Sequence, residues 1–379
     1  MTLCYQRDKK QNRYLLINTK PLRLTNGKFK RFLKFSYPFK QFYTYFLVIY
    51  KVLVIKTFEG NKKMSRYKII LTFIFILGIT SKGYAQYDAQ FSQYWELPSY
   101  YNPGAVGATD KLNIHGATRQ QWVGMPGAPK TFLIMGDMPF TLFKQQHGVG
   151  AIIATEKIGL FSNTSIGLQY SFKVKLLGGQ LGLGLQLGLI NQVFDGTEVY
   201  IPESEYHNQT DDAIPTTEAK GMGFDLGFGI HYTHKYFWAG ISAQHLTSPT
   251  ITFDEKYETY IPSSYYFLAG GNIPFKNSLI ILQPSLLLKT TFQTFQIEFG
   301  ATVKYNKFIW GGLSYRLNDA LIFMIGGEWK GIRLGYAYDY ALSDIVKATS
   351  GSHEVFLGYS MKLELGKKTK NKHKSIRLL

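Results

Sequence analysis

Histidine and carboxylate side chains are the groups in this sequence whose spacing could do chemistry. His353 and Glu354 are adjacent, and such a pair could act as a general base and its orienting acid. No nucleophile elbow or paired serine motif accompanies the pair, so we expect a hydrogen-bonded contact at a strand end instead. The eight histidines form no HExxH or similar metal pattern. The sequence therefore predicts no catalytic residue, no metal site and no cofactor.

Carboxylates are concentrated in one stretch, residues 195–220, which could bind calcium. It starts at Asp195 and also carries Glu198, Glu203, Glu205, Asp211, Asp212 and Glu218. They lack the DxDxDG spacing of a dedicated calcium loop. A solvated surface loop is the favoured interpretation.

The elements that would position such side chains are strands, because apolar residues alternate with small or polar ones. One run has leucine at every second position, with glycine or glutamine between: Leu181, Leu183, Leu185, Leu187 and Leu189. The same period of two runs through residues 222–232, 332–339 and 355–365, and it indicates strands with one apolar face. Each run is about ten residues, enough to cross a membrane when tilted, whereas soluble sandwiches mostly use about five or six. The pattern predicts an all-β fold, a transmembrane antiparallel β-barrel.

Counting runs and turn signals gives about 14 strands, an even number as such barrels require. The predicted strands begin near Leu112, Phe132, Gly148, Asn163, Gln180, Gly221, Phe237, Tyr265, Leu279, Phe292, Phe308, Leu321, Ile332 and Ser352.

The connections between these strands support the count. If the chain enters the barrel from the periplasm, every second connection is a periplasmic turn. The short turns at 178–179, 234–235, 274–277, 306–307 and 330–331 all fall in that class. The long connections near 193–219, 247–262 and 341–351 fall in the other class, which fits short inner turns and long outer loops.

Charged residues inside the strands alternate against apolar ones, so we expect them to face the lumen. They are Asp225, Glu298, Arg316, Glu328, Arg333 and Asp339. Lumen charges either pair or set the selectivity of a pore, and we favour pairing in a plugged, narrow barrel. Aromatic residues near strand ends suit interfacial girdles: Tyr170, Phe172, Tyr232, Tyr265, Tyr305, Tyr315 and Tyr338.

The net charge of +18 suggests a nucleic-acid partner until it is divided along the chain. Residues 1–63 hold fifteen basic and two acidic residues, and residues 64–85 add three basic ones. The remaining 294 residues carry a net charge of only +2, which argues against nucleic acid. The only cysteine, Cys4, precedes this body, so the body forms no disulfide.

Residues 64–85 read as a Sec-type signal peptide that begins at Met64. A basic start precedes the apolar run 69–79, and the small residues Gly83 and Ala85 stand at the cleavage positions. Eleven apolar residues are too few for a membrane-spanning helix, which needs about 20. We expect cleavage after Ala85.

The signal peptide and the strand pattern divide the chain into five parts. Residues 1–63 are interpreted as a spurious or disordered extension, and 64–85 as the signal peptide. Residues 86–110 form a short N-terminal plug or periplasmic segment, 111–366 the outer-membrane β-barrel, and 367–379 a basic periplasmic tail.

Two motifs stand at the start of the body: residues 87–94 read YDAQFSQY, and residues 97–107 read LPSYYNPGAVG. They resemble the signature DPQFSQY…NPAxxG of the PorP/SprF family of type IX secretion system membrane proteins. Further matches follow in order at 119–122, 127–131, 238–246, 310–316, 335–339 and 352–354. Ala89 departs from the family's proline.

The resemblance implies an outer-membrane component of type IX secretion that supports export or surface anchoring of a large adhesin-type client, including adhesins of gliding motility. Its partners would be outer-membrane lipid, the secreted client and periplasmic secretion components. The residues that match the motifs form a candidate docking or plug motif: Gln90, Phe91, Ser92, Gln93, Tyr94, Asn102, Pro103, Gln121 and Trp122.

Two rival functions remain open at this stage. A passive outer-membrane porin or uptake channel would need an open lumen with charged rings. An outer-membrane hydrolase would need a Ser/His constellation, and the sequence favours a non-enzymatic protein.

Overall fold

A computed structural model describes residues 4–7, 14–17, 88–199, 215, 217–253, 257–276, 279–306 and 308–362. The predicted signal peptide, the basic tail, most of the N-terminal extension and the acidic centre of loop 195–220 lie outside these residues. Strands Cys4–Arg7 and Tyr14–Ile17 form a two-stranded sheet of their own. None of the described helices is both long and apolar enough to span a bilayer.

Residues 111–362 form fourteen strands of one sheet, here numbered β1 to β14. They are β1 Lys111–Gln120, β2 Lys130–Leu142, β3 Gln145–Ile158, β4 Phe161–Leu176, β5 Gly179–Asp195, β6 Glu218–Thr233, β7 Phe237–Gln244, β8 Ser264–Gly271, β9 Ile280–Thr290, β10 Phe295–Tyr305, β11 Ile309–Arg316, β12 Ala320–Trp329, β13 Ile332–Ala341 and β14 Ser352–Lys362. Each observed start lies within three residues of its predicted start, so the strand count is confirmed.

The sheet closes on itself, because every strand pairs antiparallel with the next and the last pairs with the first. Across this seam Lys111 of β1 is opposite Lys362 of β14, and Gln120 is opposite His353. A two-residue strand, Ile273–Pro274, also pairs with β9 beside β8. Closure leaves no strand edge unpaired, which is what a strand needs in hydrocarbon. The predicted transmembrane antiparallel barrel is confirmed.

The faces of the barrel are inverted relative to a soluble protein. In β6 the buried positions are small or polar, such as Gly223 and Asp225, while the alternating apolar Met222 and Phe224 are exposed. In β5, likewise, the alternating leucines are exposed. Large apolar side chains cover the outside because their solvent is lipid, and the polar residues line the lumen.

The two ends of the barrel differ in their connections. One end, called the inner end, carries the start of β1, the end of β14 and short turns such as 143–144, 177–178 and 330–331. The opposite, outer end carries connections 121–129, 196–217, 245–263 and 342–351. Three of these hold local structure: connection 245–263 forms the hairpin Thr250–Phe253 with Tyr257–Tyr260, and connections 196–217 and 342–351 contain the 3₁₀ turns Gly196–Glu198 and Asp344–Lys347. The predicted asymmetry is present.

Residues 88–108, called the lumen segment, lie inside the barrel. They form a 3₁₀ turn Tyr94–Glu96, a one-turn helix Pro98–Tyr101 and a second 3₁₀ turn Pro103–Ala105. Phe91 and Leu97 pack against inward side chains of β1 to β3 and β14. Tyr94 and Tyr101 pack against Tyr266, Leu268 and Leu287 of β8 and β9. The lumen segment is thus the hydrophobic core of a barrel whose own apolar face points outward.

Candidate functional site

The lumen segment is the candidate site, and it begins at a buried carboxylate. Asp88 lies 2.6 Å from Nε2 of His245, the residue after β7. Its other oxygen accepts a hydrogen bond from the Tyr266 hydroxyl at 2.5 Å. Lys289 donates to the Asp88 carbonyl oxygen at 2.8 Å. These groups fix the first described residue of the segment to β7, β8 and β9.

The Asp88–His245 contact is an ion pair. Burial would raise the pKa of Asp88, but the charges of His245 and Lys289 outweigh burial and hold that pKa well below its usual range. Burial likewise disfavours the charged imidazole, but Asp88 and Asp225 together raise the pKa of His245 to about 10. The His245 Nδ1 lies 3.0 Å from Asp225 of β6. At neutral pH the contact therefore joins a carboxylate to an imidazolium.

A second attachment holds the backbone of the segment. The Glu354 carboxylate accepts hydrogen bonds from the backbone N–H groups of Ser92 at 2.6 Å and Gln93 at 2.9 Å. The Ser92 hydroxyl donates to Asp339 at 2.8 Å. All of these groups are buried. A carboxylate that satisfies two backbone donors in this way fixes the chain direction at Ser92 as well as its position.

Two arginines complete the cluster around Ser92. Arg119 of β1 lies 2.7 Å from Asp339 and 3.3 Å from Glu354. Arg316 of β11 lies 2.9 Å from both Glu298 and Asp339. Because all of these side chains are almost inaccessible, removing one partner leaves an uncompensated charge, which costs about 3–5 kcal/mol.

The remaining predicted lumen charges are also paired. Arg333 forms an ion pair with Glu96 of the lumen segment. Glu328 lies 2.8 Å from Lys304. All six strand charges that we predicted to face the lumen therefore have a partner of opposite charge. This is the arrangement that we favoured over an open ring of charges.

The inner half of the segment is held by the Asn102 side chain and by a backbone carbonyl of the segment. The Asn102 amide donates to the carbonyl oxygens of Ile230 at 2.9 Å and Ile241 at 3.2 Å, while its oxygen accepts from the Gly104 N–H at 2.8 Å. The Gly104 carbonyl accepts from Lys173 Nζ at 2.8 Å. Asn102 thus links the segment to both β6 and β7.

Glycines of the barrel wall make room for this half. A Cβ on Gly184 would lie 2.1 Å from the Pro103 carbonyl carbon, and one on Gly182 would lie 2.2 Å from the Gly104 oxygen. A Cβ on Gly148 would lie 2.2 Å from the Val106 oxygen. Only glycine permits such an approach of two backbones. Gly182 and Gly184 of β5, together with Gly148 of β3, form a groove for residues 102–107, here called the glycine groove.

The segment spans the lumen from one end to the other. His245 follows β7 at the outer end, and Glu354 is the third residue of β14, which starts there. At the other extreme the Gly107 N–H donates to Asp137 of β2 at 2.8 Å, close to the inner end. The chain therefore runs from the outer end to the inner end before β1 begins.

Seven of the nine candidate motif residues lie together in the lumen. Besides those described above, the Gln90 side chain contacts Gln296 and Arg316, and the Phe91 ring packs edge-on against Tyr100 at 5.2 Å. The Tyr94 hydroxyl donates to Ser285 at 2.9 Å. Pro103 begins the second 3₁₀ turn, against the glycine groove.

Gln121 and Trp122 lie apart from these seven, in outer connection 121–129. The Trp122 N–H donates to the Ser352 hydroxyl at 3.0 Å, and Val123 exchanges backbone bonds with Gly351 and Ser350 at 2.8 Å. Trp122 has a φ of +51°, a left-handed conformation that is rare for a tryptophan. These bonds fix connection 121–129 to connection 342–351.

The expected contact between His353 and Glu354 is wrong. The His353 ring pairs with the Tyr336 hydroxyl at 2.7 Å on the outer face, while Glu354 binds Ser92 in the lumen. Successive residues of a strand face opposite sides, so two neighbours in β14 cannot share one site.

Sequence reasoning missed several residues that hold the segment, chiefly Asp88, Glu96, His245 and Lys289. His245 and Arg119 stood within matched motifs, and both are polar residues near the outer end of a strand. A polar residue that lies both in a matched motif and near the outer end of a strand could therefore have been predicted to contact the segment.

Open space remains at the inner mouth. Two adjoining concavities of about 630 and 770 Å³ lie there and share Asp110, Gln146, Lys175 and Gln180. Cavities of about 60 and 40 Å³ lie beside Asp88. Within the described part of the chain, no cluster of His, Cys, Asp and Glu is arranged to hold a metal ion.

Comparison with known proteins gives one family and several structures. The family model described as "Type IX secretion system membrane protein PorP/SprF" matches residues 83–359. No curated protein matches the sequence significantly.

Among solved structures, a Pseudomonas aeruginosa FadL homologue is similar, with a TM-score of 0.40 and 11% identity over 70% of this chain and 93% of that one. Acinetobacter baumannii Omp33 gives 0.39 and 6%, over 68% and 100%. The translocator domain of the autotransporter NalP from Neisseria meningitidis gives 0.38 and 11%, over 72% and 95%.

Proposed function

Because the chain belongs to the PorP/SprF family of type IX secretion system membrane proteins, we propose that it supports export or surface anchoring of a large secreted client. Family and fold together identify an outer-membrane β-barrel of that secretion system. The client is an adhesin-type protein, such as those of gliding motility. The barrel itself catalyses no reaction and acts as an accessory or anchor.

The observation that carries this proposal is the filled lumen. The lumen segment is bound to strands all round the barrel through Asp88, Ser92, Glu96 and Asn102. A barrel filled by its own chain is a rigid scaffold, and this favours docking over free diffusion of a solute. Residues 88–108 act as a plug.

The two ends of the scaffold suit two kinds of partner. At the outer end, Gln121 and Trp122 lie in a connection fixed by hydrogen bonds, so they present a preformed surface to the client. At the inner end, the concavities beside Asp110 face the periplasm and suit a periplasmic secretion component.

The proposal includes the translation start and the signal peptide of the protein. Translation from Met64, with cleavage after Ala85, delivers a chain whose body starts at Gln86, two residues before Asp88. Residues 1–63 are then unnecessary for export.

The test is to delete the gene and compare surface and secreted proteins by mass spectrometry, with complementation by a copy that starts at Met64. Loss of one large surface protein, restored by the short copy, supports the secretion role and the start site. Unchanged surface proteins with reduced uptake of a solute would favour the channel and overturn the secretion role.

A matched pair of variants locates the client surface. Trp122→Ala should lower the surface level of the client while the barrel itself remains folded. Leu313→Ala removes an exposed, lipid-facing side chain away from both ends and should leave the client unchanged. Equal client levels in both variants would remove Trp122 from the docking surface.

A further inference from the structure

We propose that the inner end of the barrel is a binding ring for anionic phospholipid headgroups, formed by lysines that stand beside exposed apolar side chains. The inference rests on the barrel and its charges, and it is independent of the secretion role.

Exposed charges are distributed unequally between the two ends. Among the described residues, six exposed lysines stand at the inner end against one exposed acid, Asp110. The six are Lys144, Lys175, Lys235, Lys276, Lys330 and Lys362. At the outer end, four exposed lysines are balanced by four exposed acids, Glu198, Glu218, Glu258 and Asp344. Counted over the described residues, the inner rim is therefore positive and the outer rim close to neutral.

The two sets of lysines also differ in their partners. At the outer end, Lys220 is paired with Glu218 at 2.8 Å and Lys347 with Asp344 at 3.1 Å. None of the six inner lysines forms an ion pair with an acidic residue in the part of the chain that the structure describes. Their charge is available to an external anion.

Large apolar side chains accompany the inner lysines. Phe143 precedes Lys144 and is 88% exposed, and Leu177, two residues after Lys175, is 86% exposed. The Lys235 Nζ lies 5.2 Å from the ring centre of Tyr236, and the Lys330 Nζ lies 4.7 Å from that of Trp329. Five of the six inner turns carry such an exposed lysine in or beside them.

This pairing is what distinguishes a lipid partner from an acidic protein. Phe143 and Leu177 continue the lipid-facing apolar surface to the very tips of their turns, where such side chains are costly in water. Aromatic rings suit the headgroup level of a membrane, and cations beside them are attracted to anionic headgroups. The rim thus meets acyl chains with its apolar groups and phosphates with its lysines.

The probe is phosphatidylglycerol against phosphatidylcholine of equal chain length, measured by native mass spectrometry of the folded protein in an uncharged detergent. The inner variant carries four substitutions: Lys144→Gln, Lys235→Gln, Lys276→Gln and Lys330→Gln. The outer variant removes the same charge: Lys130→Gln, Lys157→Gln, Lys220→Gln and Lys347→Gln.

We expect the wild type to bind phosphatidylglycerol preferentially and the outer variant to keep that preference. The inner variant should lose it by about tenfold or more, since each basic side chain near an anionic surface adds to the attraction. High salt should abolish the preference, because at 1 M the screening length is about 3 Å.

Equal loss in both variants, or an unchanged ratio in the inner variant, overturns the proposal. If the inner variant keeps the lipid ratio but fails to maintain the client at the cell surface, the rim binds an acidic protein instead, and the proposal is again wrong. Should the fourfold variant not fold, the four single substitutions are compared; a graded loss of the ratio supports the ring, and unchanged ratios contradict it.

Discussion

The two halves of the lumen segment are held by different forces. Residues 88–96 are held by ionised side chains, chiefly Asp88 with His245 and Ser92 with Glu354. Residues 102–107 are held by the Asn102 side chain, by contacts of their backbone with Lys173 and Asp137, and by the glycine groove. Ionic contacts respond to pH and to loss of a partner, whereas steric fit does not. The outer half thus depends mainly on charge, whereas the inner half also has the steric fit of the groove, which pH does not change.

The largest effect is expected from filling the glycine groove. Gly184→Val places side-chain atoms where the Pro103 backbone lies, and the loss of stability should exceed the about 1–3 kcal/mol typical of core overpacking. Thermal unfolding, followed by heat-modifiable migration in gels, measures it. Gly116→Ala is the matched control, because its Cβ would meet its nearest atom at 3.9 Å. Similar losses in both variants would show that the groove is not specific.

The next effect comes from the buried charges of the outer half. Arg119→Met leaves Asp339 and Glu354 with too little positive charge, and should destabilise the barrel by about 3–5 kcal/mol. Lys347→Met breaks an exposed ion pair and should not measurably change the unfolding temperature. An Arg119→Met protein as stable as the wild type would mean that the cluster does not hold the segment.

Alkaline pH should loosen the outer half. The folded pKa of His245, about 10, lies above its unfolded value, so its stabilisation is complete below about 6.5 and disappears as the pH rises through 10. The pKa of Asp88 is lowered, so Asp88 stays ionised throughout this range and adds no pH dependence of its own. Bilayer conductance of the wild type should rise as the pH approaches 10.

Asp88→Asn provides the comparison for this titration. It removes one of the two carboxylates that hold His245 charged, so its conductance should be higher at neutral pH and vary less towards pH 10. His353→Gln, which alters a histidine on the outer face, should retain the wild-type profile. An Asp88→Asn profile identical to that of the wild type would rule out this ion pair as the pH-dependent contact.

The smallest effect is expected at Asn102. Asn102→Ala deletes the two bonds to β6 and β7 and the one to Gly104, with a cost of about 1–3 kcal/mol. Because the glycine groove remains, residues 102–107 should stay protected from protease. Cleavage there, beyond that seen with Gly116→Ala, would mean that the bonds rather than the fit hold the inner half.

Most of the barrel could be predicted, because each strand carries its own evidence. The alternation around Leu185 marks β5 without reference to any other strand, and turn signals such as Lys330-Gly331 give the spacing. Period two also assigns Arg316 and Asp339 to the lumen. What it does not specify is which lumen residues meet.

The contacts of the site depend on the closed barrel. Asp88 and His245 are 157 residues apart, and they meet only because the segment runs beneath the outer end of β7. The glycines of β5 were visible as small residues, but the backbone that fills the space beside them comes from elsewhere in the chain. The predicted contact between His353 and Glu354 was wrong because successive residues of a strand point to opposite faces of the sheet.

The position of Ser92 bears on how the cylinder is assembled. Glu354 belongs to the last strand and Arg119 to the first, so the contacts of Ser92 lie across the seam where the two strands meet. The segment also traverses the whole lumen before the first strand starts. Pairing of the first strand with the last is therefore coupled to binding of the lumen segment. A barrel that closed without the segment would lack the contacts of Ser92 with both strands of the seam.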